Sequence, residues 1–575
     1  MKTPYACQQA GKQLLFVLAL LLANHIAQSQ GSRAVTQDIQ QHFIPLSGSP
    51  EILPPAFLQK LEGKRLVGLG EATHGTAEFE QMFSLLARSL VLERGFNVVI
   101  LAEANFYDTR ALNDYVVYGK GNAETAVRHI RHSPTLLVDD EEARKLAEWI
   151  RAHNRTKVVE DRVWMLGIDA MALGGGAYNA LKLCRERNIP LPPATHQYLS
   201  ELASLSADMY ENYARTLPLD TALARLAPLL RAVQHQKYKP DLNEEQQWLL
   251  QSVMTLEKAI SFLYDHHVKH EWSKQQFRDE AMLANIKWVL ERRPAAKMII
   301  YGHNGHMGKE VGYQFFNGYT HLGGLLHSTY GKDFYAICTE AHAGSFWAGK
   351  DNPTSSIAQN KKKIGLAIGQ AVDAPAGLLE LNATPALTAY FNSPLYMTFG
   401  NLTGTNYSPA STVNLASAFD ALLFVRESTP KVPVKPKSAL KRFSFNLVMQ
   451  PAQLAQLAEK ESISVSVQSG HTPLGTSLSG EGAYVSLMFL DSQNQIVGYQ
   501  ATWLTADMKL HEQHYPLPPG SARMMLTVTG SNVAELHLAD LQVNGIKIDL
   551  SKMKYYGEGY DTSIAAGRIV LKERG

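Results

Sequence analysis

Three cysteines in 575 residues are too few to build a disulfide scaffold. Cys7 falls in an N-terminal targeting segment, which leaves Cys184 and Cys338. Both read as buried free thiols, because a large core needs no covalent staple. Neither sign of charge prevails: 55 Lys and Arg face 53 Asp and Glu, so there is no electrostatic case for a nucleic-acid partner. Beyond residue 29 the sequence holds no apolar run of membrane-spanning length, no internal repeat and no low-complexity tract. G-x-S-x-G and H-E-x-x-H are both missing, which removes the nucleophile elbow of a serine hydrolase and the zinc helix of a metalloprotease.

What is present begins with a targeting pattern. Lys2 and Lys12 precede an apolar run, Leu14 to Leu22, and Ala27-Gln28-Ser29 offers small residues for cleavage. Residues 1–29 therefore read as a signal peptide, and the protein is expected in the periplasm or outside the cell, with no membrane attachment after cleavage. The remainder is too long for one ordinary core, so more than one domain is expected.

The stretch that organises the chain is RLVGLGEATHG, residues 65–75. It reads as a short buried strand, a glycine turn carrying Glu71 and His74, and the start of a helix with Thr76 as N-cap. Gly68, Gly70 and Gly75 suit positive φ and close backbone approach. The helix shows one apolar face at Phe79, Met82, Phe83, Leu86 and Leu90, and Gly95 ends it. NVVILA (97–102) ends at Glu103, VWMLGIDA (163–170) near Asp169, and KMIIYG (297–302) leads into His303-Asn304-Gly305-His306. DFYAICTE (333–340), KIGLAIGQ (363–370) and FDALLFVRE (419–427) look like further strands. Residues 177–293 read mostly as helices, a cap subdomain whose longest helix runs from about Glu244 to His270.

The fold class is α/β, a mostly parallel sheet with helices on both faces and a helical cap, followed by an all-β sandwich. The hydrolase-like part spans residues 40–430, STPKVPVKPKS with residues 431–438 is an extended linker, and residues 439–575 carry short β runs separated by Gly, Pro and Asn. Trp503, Tyr499 and Tyr515 have two readings: core of the sandwich, or a platform for a sugar.

Each strand end alone reads equally well as a loop residue. Four in phase, Glu71/His74, Glu103, Asp169 and His303/His306, point to one site. Thr73 stands where a dinucleotide loop needs its third glycine, and the turn has no phosphate-loop lysine. An inventory of histidines and acids without a covalent nucleophile suits water activated by a histidine that a carboxylate orients. It equally suits zinc or manganese, and the residues alone do not separate the two.

LGEATHGTAEF, the strand ending at Glu103, GIDA (167–170), RDEAMLANIKW (278–288), YGHNGHMG (301–308), EAHAGSF (340–346) and FDALLFVRESTP (419–430) together resemble the erythromycin esterase family. The similarity runs in order over about residues 45–430. It implies metal-independent hydrolysis of a macrolide lactone without cofactor, with His74 as general base, Glu71 beside it, and Glu103, His303 and His306 completing the pocket. Arg88, Asp169 and Asn304 are candidate substrate contacts. Phe83 stands where relatives carry a basic residue, and PTLLVDDEE (134–142) lacks the tryptophans common there. The expected partner is a small-molecule ester or lactone, or an acylated glycan if the β domain serves a bulky target. The alternatives are a metal-dependent hydrolase at the same cluster and a non-catalytic glycan- or surface-binding protein.

Overall fold

The computed structural model describes residues 33–574 except 47–50, 129–140, 172, 205–206, 237–238, 271–274, 311–318, 349–353, 358–362, 394, 401–405, 408–413, 432–441, 452, 455–461, 474–481, 505–508, 532, 558–559 and 566. Residues 1–29, read above as a signal peptide, and the expected linker after Lys431 lie outside the described residues. Among these, no helix is long and apolar enough to cross a membrane. Contacts gather the chain into two compact units, Met1–Arg94 with Gly302–Lys431 and Gly95–Tyr301 with Val432–Gly575.

The first unit opens with β1 (Phe43–Leu46), β2 (Leu66–Glu71) and helix α1 (Ala77–Arg94), which stops at Gly95 with φ +67°. In the second unit follow β3 (Val98–Asn105), α2 (Arg110–Tyr118), α3 (Glu141–Asn154) and β4 (Trp164–Asp169). A helical stretch comes next: α4 (Leu173–Glu186), α5 (Pro193–Ser204), α6 (Ala207–Thr216), α7 (Leu219–Gln236), α8 (Glu244–Met254), α9 (Leu256–Val268) and α10 (Gln275–Arg292). The chain re-enters the first unit within β5 (Met298–His303), then forms α11 (Asn304–Met307), α12 (Leu322–Tyr330), β6 (Phe334–Phe346), α13 (Ile364–Ala371), β7 (Ala376–Glu380) and β8 (Ala421–Ser428).

In the first unit the strands lie in the order β1-β7-β8-β6-β2. β2, β6 and β8 are parallel, and β7 and β1 add an antiparallel edge. In the second unit β5, β3 and β4 are parallel neighbours. β2 and β3 are buried along their whole length, which explains why they read as near-continuous apolar runs. Within a unit, parallel strands put their carboxyl ends on one edge: Glu71 ends β2 in the first unit, Glu103 and Asp169 sit near or at the ends of β3 and β4 in the second, and His303 ends β5.

Two sequence expectations are corrected. Residues 363–370 form α13 rather than a strand, since an apolar octet carries no period that separates the two. Its glycines let it lie on β6: a Cβ at Gly365 would fall 2.2 Å from Ala341 O, and one at Gly369 2.2 Å from His342 Nδ1. The long helix from Glu244 is two helices, broken at Thr255, whose buried hydroxyl turns back onto Ser252 O.

The C-terminal residues form two antiparallel sheets around a core that includes Phe445, Leu487, Leu526 and Leu538. One sheet presents β9 (Gly482–Leu490) and β10 (Ile496–Leu504) to the helices. Tyr484, Tyr499 and Trp503 pack there with Tyr178, Leu199 and Tyr213, which is the core reading of the two given for these aromatics. Trp503 meets the edge of Tyr178 and lies under Arg185, Tyr499 shares a 2.9 Å hydrogen bond with Ser204, and Tyr515 is buried within the sandwich.

Glu201 of α5 is buried in this seam. Its carboxylate accepts hydrogen bonds from Tyr213 at 2.6 Å and Gln197 at 3.0 Å, with the Arg225 guanidinium at 3.9 Å. Burial outweighs these partners and pushes its pKa up to about 7. The folded chain then keeps a proton that the unfolded chain has released. Stability is full below the ordinary carboxylate range, falls as pH rises towards 7, and is level above it, a loss on the order of 3 kcal/mol. Unfolding midpoints measured across that window should fall in the wild type and stay flat in Glu201→Gln. A parallel fall in both would assign the titration to another group.

Candidate active site

β2 delivers Glu71 and His74 on one tight turn. His74 Nδ1 lies 2.6 Å from Glu71 Oε1, and both side chains are buried. A carboxylate at that distance holds the ring with its proton on Nδ1, which places the lone pair on Nε2. Of the three glycines that bound the turn, Gly75 alone has positive φ, at +91°. Gly68 and Gly70 are required for close approach instead. A Cβ at Gly70 would meet Asn304 Oδ1 at 2.4 Å, and one at Gly68 would meet Met307 Sδ at 3.1 Å.

Asn304 and Met307 belong to α11, which follows β5. His303 caps that turn, its Nδ1 accepting from Gly305 N at 3.1 Å. The acceptor role puts the His303 proton on Nε2, the opposite tautomer to His74. The two rings meet edge to face with centroids 4.8 Å apart. His306, one turn on, faces His321 with centroids 6.0 Å apart. His321, at the start of α12, carried no sequence signal beyond its residue type.

Thr339 of β6 ties both turns together. Its Oγ1 accepts from Ala72 N at 2.8 Å; its carbonyl accepts from Asn304 Nδ2 at 3.0 Å, and its N–H donates to Asn304 Oδ1 at 3.2 Å. Asn304, expected to contact substrate, thus spends its amide on the frame. Thr339 was missed, although it precedes Glu340 at the end of an apolar strand.

In the second unit Glu103 and Asp169 meet on Arg278 of α10. Arg278 Nη2 lies 2.6 Å from Asp169 Oδ2 and 3.6 Å from Glu103 Oε1, with all three side chains buried. Burial alone would lower the guanidinium pKa; the two carboxylates more than reverse that and raise it above its ordinary value. Asp169 also accepts from Ala170 N at 2.7 Å, and Asn285 of α10 donates to Ile168 O at 2.8 Å. Asp169 is therefore the anchor of Arg278. Arg278 and Asn285 stood in the R-D-x-x-M-x-x-N run, but only the fold shows what they hold.

Arg88 is not brought to the turn. It lies about 16 Å along α1 from Ala77, half-buried, with Nε on Ser84 O. Phe83 is buried packing on the same helix. Glu71 and His74 are chemically suited to bind zinc or manganese as well as to move protons.

The class is a hydrolase of the esterase-like kind, and the family match gives it. The model of the erythromycin esterase family matches residues 91–428, more than half of the sequence, and the chain belongs to that family. The match includes Glu103, Asp169, Arg278 and His303 but starts beyond the His74 turn and ends before the sandwich. YbfO of Bacillus subtilis (strain 168), a hydrolase by name, is 22% identical over 443 residues, 71% of this chain and 95% of its own. A solved Bacillus cereus protein is 22% identical with a TM-score of 0.60, covering 70% of this chain and 99% of that one. A histidine variant of erythromycin esterase EreC, in its open conformation, is 18% identical with a TM-score of 0.51, covering 66% and 95%. These structural likenesses show the fold.

Thr339→Val keeps the shape of the side chain and removes the acceptor for Ala72 N. Leaving that buried N–H unsatisfied should cost about 1–3 kcal/mol, read as a lower denaturation midpoint with unchanged m-value. An unaltered midpoint would show that the tie carries no weight.

Proposed function

We propose that the chain hydrolyses a small-molecule ester or lactone by activating water directly. The observation that carries this is the 2.6 Å contact of Glu71 with His74, beside a His303 ring of opposite tautomer. Water attacks the acyl carbon while His74 Nε2 takes its proton. Glu71 orients the ring and stabilises the imidazolium that forms. The carbonyl oxygen becomes an oxyanion, towards which His303 Nε2–H is the suited donor. Collapse breaks the acyl–oxygen bond, and the leaving alkoxide takes the proton back from His74, yielding acid and alcohol. Membership of the family points to a macrolide-like lactone as the first substrate to try.

The rate should rise with pH as the His74 imidazole loses its proton. His74→Ala should lower turnover about 10²–10⁴-fold and His303→Ala about 10²–10³-fold, both with folding intact by circular dichroism. An undiminished rate in His74→Ala on any ester or lactone that the wild type cleaves would remove the mechanism.

A metal-dependent version of the same site predicts the opposite response to chelation. Activity should survive exhaustive dialysis against a chelator; loss that added zinc or manganese restores would establish the metal reading. Export belongs to the same proposal, on the strength of Lys2, Lys12 and the apolar run after them. N-terminal sequencing of protein recovered outside the cytoplasm should begin near residue 30, and an intact Met1 would overturn it.

A further inference from the structure

The chain does not leave the fold where β8 ends. Thr429, Pro430 and Lys431 run back along the His74 turn. Ala77 N donates to Thr429 O at 3.0 Å, Thr76 and Pro430 pair as an antiparallel bridge, and Lys431 N donates to Gly75 O at 2.9 Å. Gly75 O also accepts from Trp347 N at 3.0 Å, so the peptide after His74 is held from two directions.

The side chains repeat this attachment. Glu78, in the first turn of α1, accepts from Thr429 N at 2.8 Å and from Thr429 Oγ1 at 2.6 Å. Lys431 Nζ lies 2.7 Å from Glu80, and both residues are buried, at 4% and 5% exposure. A solvated linker would have no use for a desolvated ion pair. As a source of stability such a pair is poor, because removing both charges from water offsets most of their attraction. What it does supply is a fixed distance between two segments 351 positions apart in sequence.

We propose that Thr429–Lys431 is a strap that positions His74, locked by the buried Lys431–Glu80 pair. The inference rests on His74 being the base. Lys431 acts through the Gly75 peptide and the first turn of α1, so it is a positioning residue. Without the pair, the fixed distance between Lys431 and Glu80 is lost, and the first turn of α1 can shift against the strap. The register between Glu71 and His74 loosens with that turn.

The test compares the wild type with Lys431→Met, Lys431→Arg and the double variant Glu80→Gln/Lys431→Met, which leaves no buried charge if the single variant fails to fold. Two readouts are taken. The first is kcat and KM on a lactone that the wild type cleaves. The second is the NMR titration and tautomer of the His74 imidazole, assigned by difference from His74→Ala.

Loss of the lock should lower kcat about 10–100-fold, the usual result of a small misplacement of the catalytic group, with KM little changed. It should also alter the His74 titration, and Lys431→Arg should restore much of both. A folded Lys431→Met or double variant with the wild-type imidazole titration and kcat would overturn the strap. If the wild type cleaves no ester or lactone, the reading of His74 as a base fails; the imidazole signal then still decides whether Lys431 positions it.

Discussion

The turns that carry His74 and His303 depend on Thr339. The parallel ladder between β2 and β6 ends with Gly70 opposite Cys338, one residue short of it. There the Asn304 side chain stands in for a strand: its amide gives one hydrogen bond to the Thr339 carbonyl and takes one from the Thr339 N–H, as a peptide group would. The substitution works only because Gly70 has no Cβ, which would lie inside the Asn304 amide. A buried backbone that leaves a ladder must find other partners. Here the partners come from the second turn, so satisfying the backbone and placing the histidines are one event.

That event also fixes polarity. His74 and His303 are chemically identical side chains with centroids 4.8 Å apart, yet their neighbours force opposite tautomers. A carboxylate on Nδ1 makes His74 an acceptor at Nε2, and a backbone N–H on Nδ1 makes His303 a donor at Nε2. Two positive rings at that separation would repel, and a protonated His303 would lose its contact with Gly305 N. In their neutral forms the two rings therefore differ in polarity, one presenting an acceptor and the other a donor.

Much of the scaffold was legible because parallel strands are apolar throughout and end in chemistry. Glu71, Glu103, Asp169 and His303 each terminate or nearly terminate a strand, as the runs before them indicated. The roles of Asp169 and Asn304 were not legible. Asp169 finds Arg278 109 positions away and Asn304 finds Thr339 35 positions away, and no local pattern announces either pair. Residues 363–370 were misread for a different reason: their glycines answer to the neighbouring β6, not to their own secondary structure. Trp503 and Tyr499 were ambiguous until the helices that cover them were in place.

The fate of the strand-end acids follows from desolvation. A carboxylate buried at 0–2% exposure must be met by donors or a cation, or it will not stay charged. Asp169 takes the close contacts of Arg278, at 2.6 and 3.1 Å, and Glu103 receives the same guanidinium at 3.6 Å. One cation thus serves two acids at unequal distances. Glu71 has a different kind of partner, an imidazole that can change its charge. An acid paired with a permanent cation holds structure, whereas an acid paired with a titratable ring can follow a proton through a reaction. By that criterion Asp169 serves the frame and Glu71 has the partner suited to proton transfer, although the sequence presents them in the same way.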